Sequence, residues 1–238
     1  MSMDFDGVND IINNGTGTSM DNLITMSYCS WFFSDANPEN NIGYILCRTS
    51  GSTLGEILSR QTGTGSADRN IVFFSRYSTF GGWNSPAGSI LNLKWYFVAV
   101  TYDGGSSSNN PTIYINGNSV AVNESTTPSG TYPNDSAYST YIGNRPADTA
   151  RTFNGKIAHV QMFNRVISQG EVKQIMFFPG SIRNGLVGYW PLLGSASPET
   201  DLSGNKNNGT VTGAIKGTTE PPINGMFTIP RPELMRSF

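Results

Sequence analysis

Trp95-Tyr96-Phe97-Val98-Ala99-Val100-Thr101-Tyr102-Asp103-Gly104-Gly105, followed by Thr112-Ile113-Tyr114-Ile115-Asn116-Gly117, is the stretch whose reading decides the fold. From Trp95 to Tyr102 nearly every position is apolar or β-favouring. That pattern predicts a strand covered on both faces, because a strand with one wet face alternates. Asp103-Gly104-Gly105 supplies a turn. Asn116-Gly117 after Thr112 to Ile115 is a strong hairpin signal, since both turn residues tolerate positive φ. Ser119 to Val122 is the predicted return strand.

Outward from this pair the chain repeats the theme. Met26 to Phe33, Tyr44 to Leu46, Ile71 to Phe74, Tyr138 to Ile142 and Lys156 to Phe163 read as further strands. Residues 106–110 and 123–136 read as loops. One helix is predicted from Ser168, with Glu171 three residues later as a capping box and Val172, Ile175 and Met176 on one face. Many strands and one short helix predict an all-β, antiparallel sandwich or jelly roll; alternating βα units are missing, which argues against a doubly wound sheet.

Composition narrows the function. The chain has 238 residues, a net charge of −2, 13% charged residues, one His and two Cys. A clustered basic surface for nucleic acid is not expected. Neither is a Cys/His zinc site. No apolar run approaches the ~20 residues that span a bilayer. The opening MSMDFDGVND lacks a basic segment followed by an apolar one, so a cleaved secretion signal is not expected in this chain. Release on a virus particle is one route out of the cell that needs none. Cys29 and Cys47 are read as half-buried thiols, with a disulfide as the alternative. Asn-x-Ser/Thr sequons begin at Asn14, Asn123, Asn134 and Asn208.

Phe5-Asp6-Gly7-Val8-Asn9-Asp10, Trp95 to Gly104, Ile113 to Gly117, Tyr141-Ile142-Gly143-Asn144 and Phe153-Asn154-Gly155-Lys156-Ile157 through Phe163-Asn164-Arg165-Val166-Ile167-Ser168 resemble, in order and spacing, laminin-G-like domains of the concanavalin A-like superfamily. The resemblance covers roughly residues 3 to 178 and implies a concanavalin A-like jelly roll. Gly185-Leu186-Val187-Gly188-Tyr189-Trp190-Pro191-Leu192 and Asp201 to Val211 resemble the family's opening strands, yet here they follow the helix. A truncated second repeat and a circular permutation compete as explanations. Too few residues remain for a second sandwich of roughly 100 residues. Permutation is therefore expected, with one domain over 1–220, residues 186–215 supplying the opening strands, and Val187–Trp190 and Thr210–Ile215 pairing in the main sheets. Residues 221–238, with Pro221, Pro222, Pro230 and Pro232, are expected to form an extended arm. Phe227, Ile229, Leu234, Met235 and Phe238 are its candidate subunit or capsid contacts.

Candidate chemistry falls into three classes. Some relatives hydrolyse glycosides with two carboxylates about 5 Å apart, but no Glu here has an Asp or Glu at the required spacing. His159 sits mid-strand, and a solvated or edge side chain is expected there rather than a triad base. An enzyme is not expected. The resemblance implies a structural calcium near the Phe-Asp-Gly segment, partly held from the closing strand. The matching position is Ala158, which cannot ligate, so the candidate ligands are Asp6, Asn9, Asp10, Asp201 and Asn205. For glycan binding the candidates are Trp83, taken as exposed, with Tyr77 and Asn84, and a second cluster of Tyr132, Asn134 and Asp135 near Tyr138; packing over a sheet edge is the competing reading of Trp83. Trp31, Trp95 and Trp190 read as core.

The permuted order resembles structural proteins of phages and environmental viruses. It implies a lectin-like virion surface protein, capsid decoration or tail, that binds glycans, capsid protein or copies of itself, with a trimer suited to capsid symmetry. The alternative is a free, extracellular carbohydrate-binding or adhesion module, calcium-dependent or not.

Overall fold

The computed structural model describes residues 1–35, 42–50, 56–62, 69–146, 151–194 and 197–223. Its strands are β1 (Met3–Asp6), β2 (Ile11–Asn13), β3 (Thr25–Ser34), β4 (Ile42–Thr49), β5 (Glu56–Thr62), β6 (Arg69–Ser75), β7 (Gly81–Asn84), β8 (Trp95–Asp103), β9 (Thr112–Ile115), β10 (Asn118–Ser119), β11 (Asn123–Thr126), β12 (Ser139–Ile142), β13 (Asn154–Phe163), β14 (Leu186–Trp190), β15 (Thr210–Thr212) and β16 (Ile215–Lys216). One helix, α1 (Gln169–Phe177), follows β13.

Two antiparallel sheets form a sandwich. The first runs β10-β9-β8-β3-β13-β1-β16, with β14 also paired to β13; the second runs β11-β7-β6-β5-β4-β12-β2-β15. The long pairing is β3 on β8, from Thr25↔Asp103 to Phe33↔Trp95. Its alternation explains the unbroken apolar run. Val98, Val100 and Tyr102 face the second sheet, while Phe97 and Ala99 join the cluster under α1 with Val172, Ile175 and Met176. Burial on both faces removes the usual polar alternation. Asn116 and Gly117 take φ of 51° and 78°, as a type I′ hairpin turn requires.

The helix begins as expected. Ser168 Oγ accepts from Glu171 N, and the Glu171 carboxylate accepts from Ser168 N. Arg165 grips the same carboxylate through both terminal nitrogens.

The late strands enter the main sheets. Trp190, Tyr189 and Gly188 pair with Val160, Gln161 and Met162. Val211 pairs with Ile12, and Ile215 with Asp4. The chain changes sheets at Gly213, whose φ of 81° suits glycine. β13 is the organiser. Its first half pairs with β1 and its second with β14. Between them lies a bulge at His159, with φ 53°.

Three expectations change. The segment 123–136 contains β11, paired with β7, rather than loop alone. The return strand of the hairpin is only Asn118–Ser119. β5 is an added strand that carries Glu56 and Arg60, both buried. Cys29 and Cys47 are free and buried in different clusters, on the outer faces of the two sheets, which leaves no route to a disulfide. Burial pushes both thiols above their ordinary range. Among the described residues no helix is long and apolar enough to cross a membrane.

Candidate functional site

The aromatic residue favoured for a sugar is not available to one. Trp83 has no exposed surface. It stacks on Phe73 at 6.1 Å between centroids, lies 5.2 Å from Tyr102, and donates its indole N–H to Asn110 Oδ1 at 2.7 Å. The expectation of an exposed ring is corrected: β7 turns Trp83 inward, and Gly81 before it makes room. A Cβ on Gly81 would collide with the indole ring. Tyr77 is also buried and donates its hydroxyl to the Gly104 carbonyl. Asn84, half-buried on β7, pairs across the sheet with Val72 and Asn123.

The second aromatic cluster is part of a buried ion network. Asp135, 1% exposed, pairs with Arg48 at 2.7 Å and with Arg76. Arg48 also reaches Asp21 at 2.5 Å, and Arg76 reaches Glu56 at 3.0 Å. Tyr132 donates to Glu56 Oε1 at 2.8 Å, lies under the Arg76 guanidinium at 4.5 Å and meets Tyr77 edge-on. Burial raises the Glu56 carboxyl, opposed by Arg76. Asp135 is thus a structural counter-ion, not a sugar ligand. Exposed Asn134 caps its own turn at Ser136 N and lines a small hollow of about 210 Å³ with Asn22, Ile24, Arg76, Tyr132 and Pro133.

The five candidate metal ligands separate into two places. Asp201, 6% exposed, spends both oxygens on local donors: Oδ1 accepts from Tyr189 N and Ser203 N, and Oδ2 from Ser203 Oγ and Asn207 N. Asn205 donates to the Val187 carbonyl in the same turn. This is a tied loop that anchors β14, with both Asp201 oxygens taken by donors of the chain itself. Asp6, Asn9 and Asp10 lie at the crossing from β1 to β2. Asp10 Oδ2 accepts from Asp6 N at 2.8 Å, and Asp6 Oδ1 from Val8 N at 2.8 Å, while Asn9 is exposed. Among the described residues no group of three or more His, Cys, Asp or Glu is arranged to hold a metal ion. The five candidate ligands therefore do not gather in one place.

What the fold assembles instead is an acidic cleft of about 330 Å³, lined by Asp4, Phe5, Asp6, Asp10, Asp35, Asn154, Gly213 and Ile215. Asp4 and Asp6 share one face of β1, since they are two apart on a strand. Asn154 stands opposite Asp6 across the β1–β13 pairing. The closing-strand residue that faces the Phe-Asp-Gly segment is therefore Asn154, not Ala158; Ala158 is buried in the cluster under α1 and pairs with Trp31. Burial raises the carboxyls of Asp4 and Asp10, and Asp35 adds to the rise at Asp4. Lys156 holds Asp35 at 2.7 Å and Asp4 at 3.4 Å. Asp4, Asp35, Asn154 and Lys156 were not singled out from the sequence. The Asp-x-Asp spacing of Asp4 and Asp6 is the one signal that could have found part of the set; Asp35 arrives only through tertiary pairing.

His159, expected as a solvated or edge side chain, is half-buried at the β13 bulge. Its Nδ1 lies 3.0 Å from the Tyr189 hydroxyl, and burial, with the N-terminal ammonium nearby, lowers its pKa to about 4. Its shell contains no serine or cysteine nucleophile among the bonds described. The contact candidates Phe227, Ile229, Leu234, Met235 and Phe238 lie outside the described residues.

Comparison with solved structures places this geometry. A candidate carbohydrate-binding protein from Bacteroides ovatus ATCC 8483 superposes with a TM-score of 0.65 at 21% identity, over 94% of this chain and 61% of its own; the chain thus spans about three-fifths of that protein. The native heptameric SAP-like pentraxin of Limulus polyphemus gives 0.62 at 15% identity, over 91% of this chain and 94% of its own. The CBM40 of the Ruminococcus gnavus IT-sialidase, solved with α2,3-sialyllactose, gives 0.50 at 13% identity, over 74% and 97%. At these identities the likeness is one of fold. Among curated proteins nothing matches. The family model for the concanavalin A-like lectin/glucanases superfamily (Laminin_G_3) matches residues 6–173, and with both sheets and the helix in the expected order the chain belongs to that superfamily.

Proposed function

We propose that this chain is a non-enzymatic, lectin-like module whose acidic cleft binds a carbohydrate, and that it works on the surface of a virion. The observation that carries the glycan reading is the cleft itself. Asp4, Asp6, Asp10, Asp35 and Asn154 present acceptors to a space of about 330 Å³, at the small end of ligand sites. Sugar hydroxyls are donors that suit carboxylate and amide oxygens. Ile215, 67% exposed, offers an apolar contact at the rim for the C–H face of a ring. Two structural neighbours, a candidate carbohydrate-binding protein and a module solved with sialyllactose, support the reading.

Glycan-array binding followed by titration calorimetry tests it. Asp6 is exposed, so Asp6→Ala should keep the fold and weaken binding at least tenfold. An array without a hit, or binding that Asp6→Ala leaves unchanged, overturns the cleft assignment. Release of reducing ends from a bound oligosaccharide would overturn the non-enzymatic part. The virion reading draws on the strand order and its resemblance to viral structural proteins. It expects the chain on particles by microscopy and a homo-oligomer, a trimer on three-fold sites, by mass measurement. A monomer that ignores particles yet binds glycans would replace it with a free adhesion module.

A further inference from the structure

Lys156 is an unusual occupant of its position. It lies on β13 between Asp4 of β1 and Phe33 of β3. Its side chain is only 7% exposed. The ammonium touches Asp35 Oδ2 at 2.7 Å and Asp4 Oδ2 at 3.4 Å, and lies 5.2 Å from the centroid of the Phe33 ring. A lysine so enclosed is costly to desolvate unless it is paired.

Its partners explain the arrangement. Asp4 and Asp35 are two of the four carboxylates that line the acidic cleft; Asp6 and Asp10 are the others. Carboxylates crowded into a partly dry space repel and resist ionisation. Such a cluster is commonly held together by a hard cation. Here the described residues form no metal-holding group, and a compact point charge on a flexible stem reaches the same oxygens from within the chain.

We infer that Lys156 is a tethered cation that takes the place of a divalent ion at the β1–β13 junction, so the sandwich closes without calcium. Its side chain ties β1 to the end of β3 across β13, and the ring of Phe33 shields the ammonium from water. The inference needs no sugar in the cleft, so loss of glycan binding would not touch it.

Thermal melting of the full chain in millimolar calcium and in chelator tests it. The wild-type melting temperature should be the same in both. Lys156→Gln should lower it by several degrees in chelator, and calcium should restore part of the loss, because a ligand bound only by the native state raises the melting temperature. A wild type that calcium stabilises, with the gain abolished by Asp4→Asn, overturns the inference. So does a folded Lys156→Gln that matches the wild type in chelator and ignores calcium. Should Lys156→Gln not fold in chelator, Asp35→Asn provides the second variant: it leaves Asp4 to pair with Lys156 and should show a smaller drop that calcium does not repair. Repair by calcium there would overturn the inference as well.

Discussion

Truncating Trp83 to alanine should cost about 3–5 kcal/mol, the range for a fully buried large aromatic. The ring contacts Phe73 and Tyr102 would go, and Asn110 would lose its donor. Urea denaturation measures the loss; a change under about 1 kcal/mol would contradict the packing described. His159 gives a pH signature. Its folded pKa of about 4 lies below the ordinary 6.5, so the unfolded chain binds the proton first. Stability is complete above about pH 6.5 and falls as pH drops toward 4, by at most about 1.4 kcal/mol per pH unit, the limit for one proton. Raised carboxyls such as Asp10 and Glu199 act with the opposite sign. The histidine's share is therefore the difference between wild type and His159→Gln in urea midpoints across that window. An identical profile for both would refute it. Residue type announced these roles unevenly. A lone histidine in a strand pattern suggests no bulge, and Gly-Gly-Trp-Asn looks like an exposed loop until Gly81 is seen to clear space for the indole.

Elements with a local cause were readable in advance, and elements with a distant cause were not. The helix start is announced by Ser168 and Glu171, three residues apart, and both bonds of the box are present. Ser168→Ala should destabilise the chain by about 1 kcal/mol, a usual cost for a lost cap. Glu171 sits well below its ordinary pKa, at about 2, chiefly through Arg165. Its contribution is present above about pH 4.5 and disappears as pH falls toward 2. Thermal melts of Ser168→Ala at neutral pH decide the first point; a melting temperature equal to the wild type would place the helix's stability entirely in its buried face. The hairpin at Asn116-Gly117 was legible for the same local reason. β5 was not. Its inward positions include Glu56 and Arg60, and an apolar pattern cannot reveal a strand whose buried residues are charged. Those charges meet partners distant in sequence: Glu56 pairs with Arg76 just after β6 and accepts from Tyr132 in the loop before β12, and Arg60 donates to Asn92 in the loop before β8.

At the scale of the molecule, chain order and spatial order come apart. β1 and β14 extend the same edge of β13, although one is near the start of the chain and the other follows the helix. Gly185 to Leu192 resembles opening strands yet follows the helix, and the sheet order seats it beside β1 on β13. The acidic cleft stayed hidden because Asp35 and Ile215 reach it from remote parts of the chain. The two ends of the described chain meet. Ser2 Oγ donates to the Thr219 carbonyl at 2.6 Å, Gly217 N to the Ser2 carbonyl at 2.9 Å, and the Met1 ammonium lies 3.5 Å from Glu220. If the strand order is a permutation of the family's order, undoing it should be tolerated. A chain joined from Phe238 to Met1 and opened between Arg183 and Asn184, both exposed, keeps every strand pairing intact. Its new ends fall between α1 and β14, where no sheet hydrogen bond is cut. Circular dichroism and thermal melting should show a cooperative unfolding transition within several degrees of the parent's. Opening the joined chain inside β8, after Val98, should abolish folding, because β8 carries the pairings to both β3 and β9. Equal behaviour of the two re-ordered chains, whether both fold or both fail, would mean that the late strands are not interchangeable with opening strands in the way the sheet order implies.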